Sequence, residues 1–386
     1  MRQVHATRTC GVVNVSGAGW ALWGLAALVP LALATPPAPF TDPNSGIEMV
    51  RIGAVDNPAW AGNGTPGDRA VGRGSVGYEY SIGQLEVTSG QWVEFFNAAY
   101  DRPANDRLPH LLPPTFWGGI ETTPTVPGGR RWTTTSQSAM LPTGDISWRM
   151  AAMYCNWLHN DKATNREAFL NGAYDVSTFG FTPGGRFTDQ LTHNEGARYW
   201  IPTWDEWLKA AHFDPDKPNG DGTIGGWWQY STTSDTAPAY GPPGMNVRAG
   251  GVGVVPAPDP NGPLAQANAG WDGLNFTGNS PFTIPLGAYA DVTSPWGLLD
   301  TAGGTSEWVE EANLLLTARG ASGSAWALSS APLMDLLYII GNGGFPSLTT
   351  YDLGFRIASS IPAPGFSSLG VGIMLLMLRR GSRRVR

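Results

Sequence analysis

The centre of the chain holds the stretch that most strongly determines its fold, Arg198-Tyr199-Trp200-Ile201-Pro202-Thr203-Trp204-Asp205-Glu206-Trp207. Thr203 and Glu206 are three residues apart, the spacing at which a threonine and a glutamate cap the first turn of a helix reciprocally. Trp207, Ala210 and Ala211 follow at helical spacing. The stretch therefore predicts a helix that begins at Thr203.

Two more helices are predicted on the N-terminal side of this stretch. Thr88 and Gln91 repeat the capping pattern, and apolar residues follow them at helical spacing. A further helix is predicted to start near Ser147 and to end at Asn160, with one apolar face along its length. All three helices are short, so most of the chain must adopt other structure.

The remaining segments indicate strands and irregular structure. Residues 40–88 are predicted to be β-structure, because the segments 49–52 and 78–82 alternate partly between apolar and polar residues. Beyond Phe213, short elements rich in Gly, Pro, Asn and Trp run to 356. No repeat of solenoid or propeller length recurs. The fold class predicted is α+β, with few helices and much irregular structure.

The composition excludes several classes of protein. The 386 residues include 51 Gly and 32 Pro without a G-X-Y period, so the chain is not collagen-like. The 17 Trp cannot remain solvated, which excludes a disordered chain. The two Cys cannot build a disulfide scaffold. These counts favour turn-rich connections around an aromatic core.

The N-terminus has the pattern of a secretory signal peptide. Two arginines precede the uncharged run 20–34, which ends in Ala32-Leu33-Ala34, a cleavage site of the A-x-A type. The alternative, an uncleaved anchor helix, fits less well, because the run has about 15 residues and a spanning helix needs about 20. We therefore expect residues 1–34 to be removed and the protein to be secreted or held at the cell surface.

The C-terminus shows a short motif, an apolar run and a basic cluster, in that order. Pro362-Ala363-Pro364 is followed by the apolar run 366–378 and then by arginines within 379–386. This order resembles the PEP-CTERM sorting signal, with Pro-Ala-Pro where Pro-Glu-Pro is usual. The resemblance implies that 361–386 anchors the chain transiently in the membrane and that exosortase-type sorting machinery is a partner. The alternative is a plain C-terminal membrane anchor.

The charge of the body between the two ends excludes nucleic acid as a partner. Residues 1–34 and 361–386 hold seven of the 24 basic residues and none of the 31 acidic ones, so the body has a net charge of −14. Nucleic-acid binding requires a basic surface. Cys10 leaves with the signal, so the mature chain keeps only Cys155 and cannot form an internal disulfide.

Further blocks occur in an order that resembles one known family. They are 80–91, 145–158, 295–308, Arg319-Gly320-Ala321-Ser322 and Gly354-Phe355-Arg356. Together with the opening stretch, they resemble the blocks of the formylglycine-generating enzyme, or sulfatase-modifying factor, family. The resemblance implies one domain over 40–358, with a C-type-lectin-like α+β fold: a small twisted sheet, few helices and long irregular loops.

The resemblance also implies a structural calcium site. Asp300, Gly303, Thr305 and Glu307 fall where the family combines one side-chain oxygen, two carbonyls and one carboxylate. Calcium takes six to eight oxygens of these kinds. The alternative for Glu307 is an ion pair with an arginine in the core.

A second calcium site of the family would use Asn268 and Ala269 together with an acidic residue further along the chain. Asn275 and Asn279 lie nearby, and no aspartate stands clearly at the expected place. Calcium at both sites is expected to be structural, because it would fix loops that regular hydrogen bonding does not hold.

The copper-binding cysteines of the family have no counterpart at the matching place in this chain. The family enzyme oxidises a substrate cysteine to formylglycine with O₂, using two of its own cysteines that bind copper and lie a few residues past the block matched by 319–322. Thiolates suit Cu(I), but residues 319–356 contain no cysteine. Cys155 is expected on the buried face of the second helix. We therefore expect no copper and assign no catalytic residue.

The predicted function is that of an exported, calcium-stabilised binding or structural module at the cell envelope or outside the cell. Its ligand would be an extracellular polysaccharide or a protein. Exposed tryptophan faces stack on sugars, and the block 225–230 is the best candidate for such a surface. The alternative is a divergent formylglycine-generating-type oxidoreductase or another metal-dependent enzyme.

Overall fold

The structure, a computed structural model, describes residues 36–65, 67–122, 131–249, 255–271, 275–326 and 344–360. The predicted signal peptide and the predicted sorting segment lie outside the described residues. Among the described residues, no helix is both long enough and apolar enough to cross a membrane.

The elements are short, and loops connect most of them. The strands are β1 (Phe40–Thr41), β2 (Glu48–Ile52), β3 (Tyr80–Gly83), β4 (Ile120–Glu121), β5 (Trp132–Thr133), β6 (Tyr199–Trp200), β7 (Phe213–Pro218), β8 (Ile224–Trp227), β9 (Ser306–Ala312), β10 (Arg319–Ser322), β11 (Leu353–Gly354) and β12 (Ala358–Ser360). The helices are α1 (Ser89–Ala99), α2 (Trp148–His159), α3 (Glu167–Leu170) and α4 (Trp204–His212). The predicted class, α+β with few helices and long loops, is confirmed.

The larger sheet joins the two ends of the described domain. Its strand order is β1-β2-β3-β12-β6, and every neighbouring pair is antiparallel. Ala358 on β12 pairs with Ile82 on one side and with Trp200 on the other. The sheet is therefore complete only when the last described strand has inserted between strands from distant parts of the chain.

A smaller sheet carries three of the buried charged residues of the described domain. Its order is β10-β9-β11, with β10 antiparallel and β11 parallel to the central strand β9. Glu307 and Glu310 on β9 are both buried, and so is Arg319 at the start of β10. Charged groups in such a position need partners inside the protein.

The three predicted helices are present and begin at the predicted caps. Thr88 accepts the backbone N–H of Gln91, whose side chain accepts the N–H of Thr88 in return. Thr203 and Glu206 form the same reciprocal pair at the start of α4, and Ser147 caps α2. The four-residue helix α3 was not predicted, because so short a segment shows no periodicity.

Tryptophans fill the core between the larger sheet and the helices. Trp92, Trp148, Trp157, Trp207 and Trp308 are among the largest completely buried side chains. The indole N–H of Trp308 donates to a backbone carbonyl at 2.6 Å. A large ring buries much apolar surface with few rotatable bonds. Aromatic packing therefore stabilises a domain that has little regular structure.

Candidate functional site

A buried ion pair links β9 to the chain just before β12. Nε and Nη2 of Arg356 donate to the two carboxylate oxygens of Glu307, both at 2.7 Å. The guanidinium also donates to the carbonyls of Gly83, Gln84 and Leu299 at 2.8, 2.9 and 3.1 Å. All five N–H donors are used. The core arginine anticipated as the alternative partner of Glu307 is therefore present.

Two further carboxylates lie within electrostatic reach of this pair. Glu86 accepts the backbone N–H of Thr305 at 3.0 Å and its hydroxyl at 2.5 Å. Burial, reinforced by the charge of Glu307, raises the pKa of Glu86 well above its usual range. Burial also raises the pKa of Asp300 to about 6. One guanidinium thus lies within electrostatic reach of three carboxylates.

The side-chain oxygens of the first predicted calcium set are largely engaged in protein contacts, and calcium binding there stays a prediction. Of the four lone-pair sites of the Glu307 carboxylate, Arg356 uses two and the indole N–H of Trp207 uses a third, at 2.8 Å. One oxygen of Asp300 accepts a backbone N–H at 2.6 Å. Calcium would be held by the carboxylate of Asp300 and by backbone oxygens, with a single lone pair from Glu307. The backbone ligands would be the carbonyls of Gly303 and Thr305.

The second predicted set adjoins the first. Asn268 forms a β-bridge with Gly303, and Ala269 follows in the same buried segment. The amide of Asn268 already donates to a backbone carbonyl at 3.0 Å and accepts an indole N–H at 2.9 Å. The amides of Asn275 and Asn279 donate to a backbone carbonyl and to a methionine sulfur. The side chains proposed for this site are thus engaged in protein contacts, and calcium binding there stays a prediction.

Cys155 has the environment of a core residue. Cys155 is buried on α2, and burial raises its thiol pKa well above the usual range. A reactive or metal-binding cysteine needs the opposite shift, since the thiolate is the nucleophile and the ligand. Within the described ranges, no three His, Cys, Asp or Glu side chains are grouped so as to hold a metal ion.

A cavity of about 270 Å³ opens beside Trp326, just past the end of β10. The ring of Phe282 lies 4.0 Å from that of Trp326, centroid to centroid, and the ring of Phe116 lies 5.7 and 5.9 Å from the two. No ionisable side chain occurs in the lining. The lining residues are Thr115, Phe116, Trp117, Leu141, Pro142, Gly144, Phe282 and Trp326.

A second cavity of about 620 Å³ adjoins the first. The two share Leu141, and the consecutive residues Phe282 and Thr283 contribute one to each. The lining of the second cavity is also uncharged and consists of Thr135, Ser136, Gln137, Ser138, Met140, Leu141, Thr283 and Pro285. We call the two cavities together the aromatic groove.

Separate loops supply the aromatic groove, and hydrogen bonds near α1 hold them in place. The hydroxyl of Ser89 accepts the N–H of Gly118 at 2.7 Å and donates to the carbonyl of Pro142 at 3.2 Å. The N–H of Leu286 donates to the carbonyl of Met140 at 2.8 Å. None of these loops has a sequence period, so the groove gave no signal in the sequence.

The block 225–230 contributes chiefly to packing. Trp227 is buried, with ring contacts to Trp60 and Phe213. The ammonium of Lys217 lies 4.2 Å from the ring centre of Trp228. The face of Trp227 is therefore unavailable for stacking on a sugar, whereas Phe116 and Phe282 at the aromatic groove are exposed.

Comparison with known proteins identifies one family model. The model described as sulfatase-modifying factor enzyme 1-like domain matches residues 61–361. No curated protein matches the chain.

Three solved structures are similar to this chain at low sequence identity. The crystal structure of CarF shares 18% identity over 82% of this chain and 99% of that chain, with a TM-score of 0.43. Treponema denticola variable protein 1 shares 15% over 84% and 100%, with a TM-score of 0.44. PvdO from Pseudomonas aeruginosa shares 15% over 85% and 100%, with a TM-score of 0.43.

Proposed function

Because the chain belongs to the sulfatase-modifying factor enzyme 1-like family, we propose that it is an exported binding module of that family without formylglycine-generating activity. The aromatic groove is the observation that supports this proposal. It lies beside Trp326, close to the part of the chain where the resemblance places the copper-binding cysteines. Phenylalanine and tryptophan rings stand there, and they supply neither an acid, a base nor a metal ligand.

The ligand class that suits the aromatic groove is a polypeptide segment with an apolar or aromatic side chain. An uncharged, largely aromatic lining favours apolar groups, which gain roughly 25 cal/mol for each Å² removed from water. Two adjoining cavities suit an extended chain that places a side chain in each. The family enzyme acts on a cysteine within a substrate protein. A polypeptide is therefore the ligand class that departs least from the family's substrate.

Peptide selection on the immobilised chain without residues 1–34 tests this proposal. We expect enriched peptides to share an apolar or aromatic anchor, and Phe282→Ala to weaken their binding about tenfold or more, as loss of a central aromatic contact does. Phe181→Ala is the matched control, because Phe181 is 45% exposed, Phe282 is 46% exposed, and Phe181 lies outside the aromatic groove.

Three outcomes would count against the proposal. Failure to enrich any peptide, or equal losses in Phe282→Ala and Phe181→Ala, would remove the aromatic groove as the binding site. Binding to polysaccharides in place of peptides would keep the groove but reject the polypeptide ligand.

The alternative, a divergent oxidoreductase or other metal-dependent enzyme, is tested by chemistry and by metal content. We expect no aldehyde when the protein is supplied with copper, O₂ and a cysteine-containing peptide. We also expect the purified protein to retain neither copper nor iron. Formylglycine in the peptide, or one equivalent of either metal, would favour the enzyme over the binding module.

Export and sorting complete the proposal. The segment 361–386 would hold the chain transiently in the membrane until exosortase-type machinery removes it. Deleting 361–386 should release the protein from the cell surface, whereas deleting 1–34 should keep it inside the cell. Unchanged surface retention after deletion of 361–386 would contradict the sorting role.

A further inference from the structure

One oxygen of the buried carboxylate of Glu310 on β9 makes three contacts. Oε1 of Glu310 accepts the hydroxyl of Tyr174 at 2.6 Å and the backbone N–H of His193 at 2.8 Å, and it lies 2.9 Å from Nδ1 of the His193 ring. Oε2 is buried and has no hydrogen-bond partner among the described residues. The side-chain contacts to the carboxylate of Glu310 therefore come from Tyr174 and His193, and the nearby charge of Arg319 also acts on it.

These contacts hold one loop on the domain. This loop comprises residues 188–197 and is called the 188–197 loop below. Asn194 in this loop donates two hydrogen bonds to the carbonyls of residues 172–173, at 2.8 and 2.9 Å. The hydroxyl of Tyr174 accepts the N–H of Ile201 at 3.0 Å. The carboxylate on β9 thus connects the 188–197 loop with the segment that leads into α4.

The ring of His193 is held on one side and open to solvent on the other. It stacks on Trp200 with the ring centres 4.5 Å apart and the planes 16° apart. The side chain is 23% exposed. Nδ1 lies at Glu310, and Nε2 has no hydrogen-bond partner in the part of the chain that the structure describes. A proton from solvent can therefore bind at Nε2 while the hydrogen bond to Glu310 stays in place.

We propose that His193 and Glu310 form a proton-operated latch for the 188–197 loop. When Nε2 takes up a proton, the imidazolium and the carboxylate form a partly buried ion pair that holds the loop against β9. When Nε2 returns the proton to solvent, the ion pair of His193 with Glu310 is lost, while the ion pair of Asp189 with Arg149 and the hydrogen bonds from Arg319 remain, so the loop is held less firmly at its His193 end. Such a latch would regulate the domain by pH, independently of any ligand in the aromatic groove.

The groups around His193 determine the direction of the effect. Burial lowers the pKa of His193, but the hydrogen bond and charge of Glu310, with the charge of Glu206, outweigh it and raise the pKa above 6.5. The facing groups are Glu310 on β9, Glu206 on α4, the phenol of Tyr174, and Arg319 on β10, which donates to carbonyls of the same loop.

The sign of the pH dependence follows from the raised pKa. A group that binds its proton more tightly in the folded state stabilises the fold at low pH. The contribution of the latch is complete below the unfolded-state pKa of about 6.5 and is lost as pH rises through the higher folded-state pKa.

Unfolding of the mature chain and of His193→Gln, measured at about pH 5.5 and about pH 9, tests the latch. We expect the stability advantage of the native chain over the variant to be larger at the lower pH, by about tenfold in the folding equilibrium constant per unit of raised pKa. His110→Gln is the control, because burial lowers the pKa of half-buried His110. The stability advantage of the native chain over this variant should therefore not grow at low pH. An equal loss in His193→Gln at both pH values would overturn the latch.

A second measurement does not depend on a variant that folds poorly. The pKa of His193 in the native chain can be followed by NMR, together with amide exchange at Asn194, whose N–H bonds the carbonyl of Ala173 at 2.8 Å. We expect a pKa above that of an unfolded peptide and, after correction for intrinsic rates, faster exchange once the proton is lost. A pKa at or below the peptide value, or exchange unaffected by the titration, would reject the proposal.

Discussion

Arg356 and Glu307 form a two-bond ion pair in which both side chains are almost completely buried, 0% and 1% exposed. Glu307 lies on β9 and Arg356 lies just before β12, so the pair connects these two parts of the chain. The same guanidinium donates to the carbonyls of Gly83, at the end of β3, and of Gln84. Removing two charges from water is costly, and only complete hydrogen bonding offsets that cost. The pair is therefore a point at which the two sheets depend on each other.

Breaking this pair should destabilise the protein strongly. Glu307→Ala leaves the guanidinium of Arg356 buried without its hydrogen-bonded countercharge, and we expect a loss of about 3–5 kcal/mol in the free energy of unfolding. Urea denaturation at neutral pH measures this loss. The control is Glu79→Ala at the exposed pair with Arg51, with side chains 41% and 55% exposed, where we expect less than about 1 kcal/mol. Similar losses in both variants would contradict a structural role for the buried pair.

Calcium should raise the melting temperature, and Asp300 should be required for the rise. Calcium would neutralise the excess of carboxylates around Arg356, so Asp300→Asn should abolish the calcium-dependent shift in a thermal scan. Exposed Asp291→Asn should leave the shift intact. Because the pKa of Asp300 is raised to about 6, protons should compete with calcium as pH falls through that value. A full calcium response in Asp300→Asn would remove this site.

Adding a methyl group at Gly304 should disturb the same region. Gly304 has φ +72°, and a Cβ there would lie 2.2 Å from a carboxylate oxygen of Glu86. We expect Gly304→Ala to lower the free energy of unfolding by about 1–3 kcal/mol through backbone strain. The loss should be larger still, because the buried carboxylate of Glu86 must move away from the new methyl group. Gly185→Ala is the control, with φ +77° and open space around the new Cβ. Chemical denaturation should show a larger loss at Gly304, and equal losses would contradict the contact with Glu86.

The carboxylate of Glu311 should make stability fall as pH rises. It pairs with Arg73 at 2.6 Å and accepts the N–H of Trp204, yet burial raises its pKa to about 7. The folded state then binds this proton more tightly than the unfolded state, so stability declines between about pH 4.5 and pH 7. Glu311→Gln should reduce this decline, by up to about 3 kcal/mol.

Unfolding curves of Glu311→Gln and the native chain, taken at several pH values, measure the difference. The variant should gain relative to the native chain as pH increases. A constant difference across the range would show that Glu311 ionises in the folded protein as it does in the unfolded chain.

The parts of the fold that depend on near neighbours were predicted from the sequence. A capping box needs residues only three positions apart, so Thr88 with Gln91 and Thr203 with Glu206 were identified correctly. The family resemblance is confirmed by the match to 61–361, since ordered blocks survive even where loops differ. Helix α3 was missed, because four residues are too few to show a period.

The aromatic groove and the charge network depend on distant residues and could not be predicted in detail. An arginine partner for Glu307 was anticipated, but nothing in the sequence identified it as Arg356, 49 residues away. Glu86 joins the same region from a far earlier segment. The ring of Phe116 meets those of Phe282 and Trp326 only because separate loops converge.

The sequence by itself therefore determined the caps, the three longer helices, the family and the absence of cysteines in 319–356, because these are properties of local spacing and residue identity. The tertiary structure alone decided which carboxylates are compensated, which aromatic rings stay exposed and how His193 meets Glu310. The physical reason is that desolvation, ion pairing and ring packing act through space, and a folded chain places residues in contact that the sequence separates.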